Sequence, residues 1–192
     1  MTYAFNSNTL GCPDVTVVTQ IAPGVANLPS TVLEPQVGEI RTAWDNSTVS
    51  LGFGEFIYLK IPTVTAIPLG SIVQWSAGVG ITAYTAALLP VLSTSKNTGH
   101  QVAVAPVAIS SVTPVQYGWF QISGQCPVLK TAVAATPDVV VYASGTAGRL
   151  KILTSAGGQI TGMRTATTAT ISAGVSTVLC YLNRPAMQGQ TT

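Results

Sequence analysis

Nearly every apolar stretch of this chain is short and rich in β-branched residues, alternates apolar with polar positions, and ends at Gly, Pro, Asn or Ser. A period of two puts successive side chains on opposite faces of an extended backbone, so the pattern specifies strands joined by turns. It also excludes a bundle of amphipathic helices, which needs a period near 3.6. Strands are expected at 15–21, 39–44, 55–61, 71–75, 101–108, 118–123, 139–143, 149–153, 159–163 and 177–182. The best helical candidate, residues 83–89, stops at Pro90 and reads equally well as a loop. The fold class is all-β, a compact barrel or sandwich of short strands.

Charge is the second constraint. Asp, Glu, Lys and Arg make up 7% of the 192 residues, against about 25% in an ordinary soluble domain. Hydrophobic residues reach 47% and the mean hydropathy is +0.45, yet no run approaches the roughly 18 residues of a membrane helix. No membrane partner is expected. Spread charge normally keeps protein surfaces apart, so a chain this neutral is expected in an assembly, as a homo-oligomer with a trimer favoured.

The charges are also unevenly placed. Residues 1–60 carry a net −3 and residues 61–192 a net +5. Two parts of opposite sign can attract within a chain or between neighbours. The cations are scattered and lack interleaved aromatics, so no phosphate track and no nucleic-acid partner is expected.

Three units follow from composition. Residues 1–51 hold Pro13, Pro23, Pro29 and Pro35 and most of the acids, and read as an extended N-terminal arm. Its Val15, Val17, Val18, Ile21, Val32, Leu33 and Ile40 must be buried against the β domain, a sister subunit or another lattice, and its negative balance favours a neighbour. Residues 52–187 read as the β domain, and 188–192 as a flexible tail. Within the β domain the segments 52–110 and 116–183 suggest a duplication. Phe56-Ile57-Tyr58-Leu59 answers Trp119-Phe120-Gln121-Ile122, Ile72-Val73-Gln74-Trp75 answers Val139-Val140-Val141-Tyr142, and Gln101-Val102-Ala103 answers Gln159-Ile160-Thr161.

Catalytic constellations lack parts. The single histidine, His100, sits in a turn-like sequence before a strand, with no nucleophile elbow or metal-binding helix motif to support it. Asp45 and Glu55 flank Phe53, but a glycosidase pair is defined by spatial separation, not by sequence. Cys12, Cys126 and Cys180 are widely spaced without C-x-x-C, which fits reduced buried thiols better than a disulfide framework or zinc. The glycines at 52–54, 78–80 and 157–158 lack the helix and Lys of a phosphate loop. Asn46-Ser47-Thr48 matches a glycosylation sequon, but the first residues show neither a basic nor an apolar leader, and a chain made in a cytoplasm is expected. No catalytic, cofactor or metal residue is assigned, no cofactor is expected, and the chain is read as a non-enzyme. The aromatics, Trp44, Phe53, Trp75 and Trp119 among them, are expected in the core, with a sugar-binding shelf as the other use.

Four phrases carry a resemblance: Gly54-Glu55-Phe56-Ile57-Tyr58-Leu59-Lys60, Gln116-Tyr117-Gly118-Trp119-Phe120-Gln121-Ile122-Ser123-Gly124, Val141-Tyr142-Ala143-Ser144-Gly145-Thr146-Ala147-Gly148, and the closing stretch 178–189. Together they resemble capsid decoration, or cement, proteins and related minor structural proteins of tailed bacteriophages, over roughly residues 38–189. That resemblance implies a non-enzymatic β-rich module on the outside of an icosahedral head, clamping neighbouring major capsid subunits. The implied location is the virion and the implied partners are the major capsid protein and further copies of the chain. A receptor-binding or fibre module is the alternative, marked by an exposed aromatic and polar pocket at one end of the fold.

Overall fold

The computed structural model describes residues 37–45, 51–62, 66–75, 84–110 and 116–190. The strand expected at 15–21, most of the arm and the final two residues lie outside them. Among the described residues the chain is all-β, with ten strands in one antiparallel sheet that is not closed into a barrel.

The strands, in chain order, are β1 (Ile40–Asp45), β2 (Gly52–Ile61), β3 (Ile72–Trp75), β4 (Ala87–Leu88), β5 (Gln101–Val104), β6 (Gln116–Leu129), β7 (Val140–Ala143), β8 (Leu150–Lys151), β9 (Gln159–Thr165) and β10 (Thr177–Met187). One helical turn, α1 (Leu92–Ser95), follows Pro90. The principal order across the sheet is β1-β2-β6-β5-β10-β9-β7-β8, with β3 and β4 joined through β5. β1 lies inside the stretch expected to be an arm, yet pairs with β2 over six residues, from Ile40↔Ile57 to Asp45↔Gly52. At the other end, Gln188 N donates to Gln159 O and Gly99 N to Gln188 O, which ties the start of the expected tail to the sheet.

The helical candidate at 83–89 is not helical in its described part. Tyr84 takes a positive φ of 52°, Ala87 and Leu88 pair with β3, and Ala86 N donates to Lys60 O instead of to a helical carbonyl. Pro90 brings no backbone donor that could extend a helix, so the segment finds its hydrogen bonds across the sheet.

Alternation divides the interior into two clusters. Phe56, Tyr58, Ile72, Val102, Val104, Tyr117 and Trp119 belong to one, while Ile57, Leu59, Ile61, Val73, Ala103, Ala105, Phe120 and Ile122 belong to the other. Neighbouring residues of β2, β3, β5 and the first half of β6 therefore point into different clusters, and these strands are covered on both faces. Val141, Ala143, Leu150, Ile160, Met163, Val178, Cys180 and Leu182 all lie in the first cluster, so β7 to β10 bury one face only. The first cluster draws on both segments of the expected repeat, Phe56, Tyr58, Ile72 and Val102 from 52–110 and Val141, Ala143, Ile160 and Val178 from 116–183, and a second cluster lies on the opposite face of the sheet.

Pairing reproduces the matches seen in sequence. β3 pairs with β4 and β5 as β7 pairs with β8 and β9. Trp75 faces Gln101 where its counterpart Tyr142 faces Gln159, and Gln74 faces Val102 where Val141 faces Ile160. Phe56–Leu59 and Trp119–Ile122 are direct neighbours, with Tyr58 opposite Trp119 and Ile57 opposite Phe120.

β6 runs well past Ser123, the end of the strand expected at 118–123. It pairs with β2 through Ser123 and with β10 from Ser123 to Leu129. Gly124 makes this possible: its φ is +91°, and a Cβ there would lie 2.3 Å from Phe53 O. The buried Gln121 amide bridges the same region, its Nε2 donating to Ser123 O and Gln125 O, both at 3.0 Å.

Candidate interaction surface

Among the described residues, the hairpin of β1 and β2 carries the most exposed aromatic pair. Trp44 and Phe53 are register partners, 46% and 65% exposed, with ring centroids 4.3 Å apart at 73°. An edge-to-face pair of this kind is rigid and largely apolar, and exposing it costs hydration. The sequence placed both rings in the core by default; they stand on the surface because partners in an antiparallel ladder share a face. On that same face lie Thr42 and Glu55, the latter held by Arg184 through two hydrogen bonds of 3.1 and 3.2 Å. Hydrogen bonding to Glu55 also raises the Arg184 pKa further.

Asp45 lies on the opposite face. It is buried and its Oδ2 accepts a 3.0 Å bond from Leu51 N, which closes the hairpin. The two carboxylates that flank Phe53 therefore point away from each other, a geometry that cannot place an acid and a base on either side of one glycosidic bond. His100 is exposed and its Nδ1 stands 3.3 Å from Gln74 Oε1. Cys126 and Cys180 are directly opposed in the β6–β10 ladder, buried and free. Burial pushes the Cys180 thiol up to about 12, and burial, followed by the neighbouring Cys180, raises Cys126 well above the usual thiol range. Cys12 lies outside the described residues. Among the described residues no three His, Cys, Asp or Glu side chains gather in a way that could hold a metal, and no helix is long and apolar enough to cross a membrane.

Beside the hairpin the surface opens into an apolar cavity of about 510 Å³. Its floor is the outer face of the β6–β10 ladder, where Pro127 opposes Leu179 and Leu129 opposes Thr177. Leu69 and Gly70 form one wall, Ile171 and Val175 another, and Leu51 marks the end nearest the hairpin. Among the described residues no charged one lines it. Its one orphaned polar atom is Thr167 Oγ1, buried without a hydrogen-bond partner among the described residues. Leu69 and Val175 are substantially exposed at the rim.

The second wall is held by a buried lysine. Lys130 is 1% exposed, and its Nζ donates to Val133 O at 2.9 Å and Ser172 O at 3.1 Å, with longer contacts to Thr131 O and Ala173 O at 3.4 Å. Its backbone N donates to Ser176 O at 2.8 Å. One ammonium thus ties the 131–133 turn to the 172–176 turn with carbonyl dipoles in place of a carboxylate. Burial pulls its pKa below 10.5, because taking the charge out of water favours the neutral amine. Nothing in the sequence marks Lys130 out from the other lysines; only the two turns that close over it do.

No protein-family model matches the chain, and none of the curated proteins compared with it matches either.

Proposed function

We propose that this protein is a non-enzymatic structural protein of a bacteriophage virion, which binds the outer surface of an icosahedral head and stabilises the expanded capsid by clamping neighbouring subunits. The observation that carries the reading is the exposed Trp44–Phe53 hairpin beside an apolar cavity, lined among the described residues by no charged side chain, on the open face of the β6–β10 ladder. Aromatic anchors at the centre of an interface supply most of its energy, and near-neutral surroundings avoid burying unpaired charge. Low charge and Thr, Ser, Ala and Val surfaces also favour a homo-oligomer, with a trimer as the proposed form. A module that binds the assembled, expanded shell more tightly than free subunits stabilises that shell by mass action, and many copies on one lattice multiply the effect.

The test is electron microscopy of particles from the cells that make this chain, with mass spectrometry of their proteins. Density for the chain on the outer head surface, and earlier DNA release on heating from heads that lack it, is the expected result. Its absence from particles would overturn the proposal.

A second reading, a receptor-binding or fibre module, is favoured by one observation: the exposed aromatic pair shares its face with the Glu55–Arg184 ion pair, so a stacking platform lies beside polar groups. Location at a tail tip instead of the head would select it.

A further inference from the structure

β1, β4 and β8 each have a single partner strand among the described residues, but these edges differ in length. β4 and β8 are two residues long, whereas β1 runs for six in unbroken register with β2. Shortness, proline, lysine and bulges are the devices that keep an edge from pairing with another chain. β1, Ile40-Arg41-Thr42-Ala43-Trp44-Asp45, has none of them.

One bond fixes which main-chain groups face outward. Tyr58 N donates to Glu39 O at 2.9 Å, and the β1–β2 register carried one step back pairs these two residues. Alternation along an antiparallel ladder then turns the N–H and C=O of Arg41, Ala43 and Asp45 toward β2, and those of Ile40, Thr42 and Trp44 toward the outer edge. The side chains of the same three residues are exposed on the outer face, with Trp44 against Phe53.

The edge is complementary to itself. When two copies of β1 run antiparallel across a two-fold axis, two registers bring the outward groups into phase and overlap by five residues, one with Thr42 on the axis and one with Ala43. With Thr42 on the axis, Glu39 stands opposite Asp45 of the second copy at both ends, and opposed like charges destabilise a ladder. With Ala43 on the axis, Arg41 takes the position opposite Asp45 at both ends. Charge therefore selects the second register. It makes four main-chain bonds, between Thr42 of each copy and Trp44 of the other. It also sets the two Trp44 residues on diagonal positions about 7–8 Å apart, within reach of aromatic side chains. A foreign strand could satisfy the same backbone groups, but the charge match and the meeting of the exposed rings favour a second copy.

We propose that two copies of this chain join through β1, antiparallel and with Ala43 on the two-fold axis, into one continuous sheet whose outer face carries Trp44 and Phe53 of both copies side by side. This rests on the homo-oligomer part of the reading above and not on the virion. A trimer would need a further contact elsewhere.

The test uses the full chain and Thr42→Pro, which removes one outward N–H and puts a ring in the second copy's path. The side of β1 bonded to β2 is untouched, and an edge strand tolerates proline where its N–H faces outward. Sedimentation velocity at rising concentration should show the wild type moving from 19.7 kDa to twice that mass, whereas Thr42→Pro stays at 19.7 kDa with an unchanged urea midpoint. A second readout needs no variant and so does not depend on whether Thr42→Pro folds. Hydrogen exchange of the wild type should slow about tenfold or more at the Thr42 and Trp44 amides between dilute and concentrated solution, and stay unchanged at Ala43, whose N–H is bonded to β2. A wild type that stays at 19.7 kDa overturns the proposal together with the homo-oligomer reading. An oligomer that survives Thr42→Pro, or whose Thr42 and Trp44 amides exchange equally fast at both concentrations, overturns the β1 contact alone and leaves the homo-oligomer reading standing.

Discussion

β3-β4-β5 and β7-β8-β9 follow one pairing scheme, with the register matched at Gln74 and Trp75 and their counterparts Val141 and Tyr142 and shifted by an irregularity between Val140 and Val141, yet the first trio is covered on both faces and the second on one. Val73 and its counterpart Val140 show the difference at a single residue type: the former is fully buried, the latter 41% exposed. The cause is written in the partner strands. Val102-Ala103-Val104-Ala105 offers apolar side chains to both faces, whereas Gln159-Ile160-Thr161 offers one apolar side chain between two polar ones. A doubly covered sheet is a rigid scaffold, and a singly covered one leaves a face that another chain can use.

The largest effect should come from the doubly covered side. Phe120→Ala empties a site buried among Ile57, Leu59 and Val73, and should cost about 3–5 kcal/mol in urea unfolding, whereas Tyr181→Ala on the open face should stay within about 0.5 kcal/mol. Equal costs would break the comparison.

The matched valines sharpen it. Val73→Ala should cost about 2 kcal/mol and Val140→Ala less than about 0.5 kcal/mol, read from midpoints at unchanged slope. A full-size loss at Val140 would mean that something covers β7 in solution.

Lys130→Met tests the turns that border the cavity. It keeps much of the side-chain volume but leaves the Val133 and Ser172 carbonyls without their donor, at about 1–2 kcal/mol. Hydrogen exchange should quicken at 131–135 and 171–176 and stay unchanged in β2 and β3.

The smallest effects at neutral pH emerge only in alkali, with opposite signs. Cys126 and Cys180 keep their protons in the fold while unfolded thiols lose theirs near 9.0, so the native state binds more protons there and stability falls as pH rises from 9.0 toward about 12. Lys130 binds its proton less tightly in the fold than when unfolded, so its own contribution rises with pH up to 10.5. The difference in unfolding free energy between wild type and Cys180→Ala should shrink with alkali, and that between wild type and Lys130→Met should grow. The native Cys126 and Cys180 thiols should also resist alkylation until the chain unfolds, since the thiolate is the reactive form.

Much of the fold was legible before the sheet was seen. The strands at 55–61, 71–75, 139–143 and 159–163 stand close to where alternation put them, because a period of two survives whichever strand lies alongside. The surface was less legible. Trp44 and Phe53 carry the same local signal as the buried Trp119 and Phe120, and their exposure follows from the hairpin's place at the sheet's edge. Lys130 reads as an ordinary surface cation, since its cage comes from residues more than forty positions away as well as from its own turn.

By itself the sequence determined that this chain is all-β, where most strands run, and which side chains alternate, since these depend on local backbone geometry and the spacing of apolar residues. The tertiary structure alone decided that β6 continues through Gly124 to a second partner, that Asp45 and Glu55 face apart, and that the β6–β10 ladder is left open as an apolar seat. Each of these depends on which strands meet across long sequence distances, and hydrophobic burial, being non-directional, favours collapse without naming the neighbour.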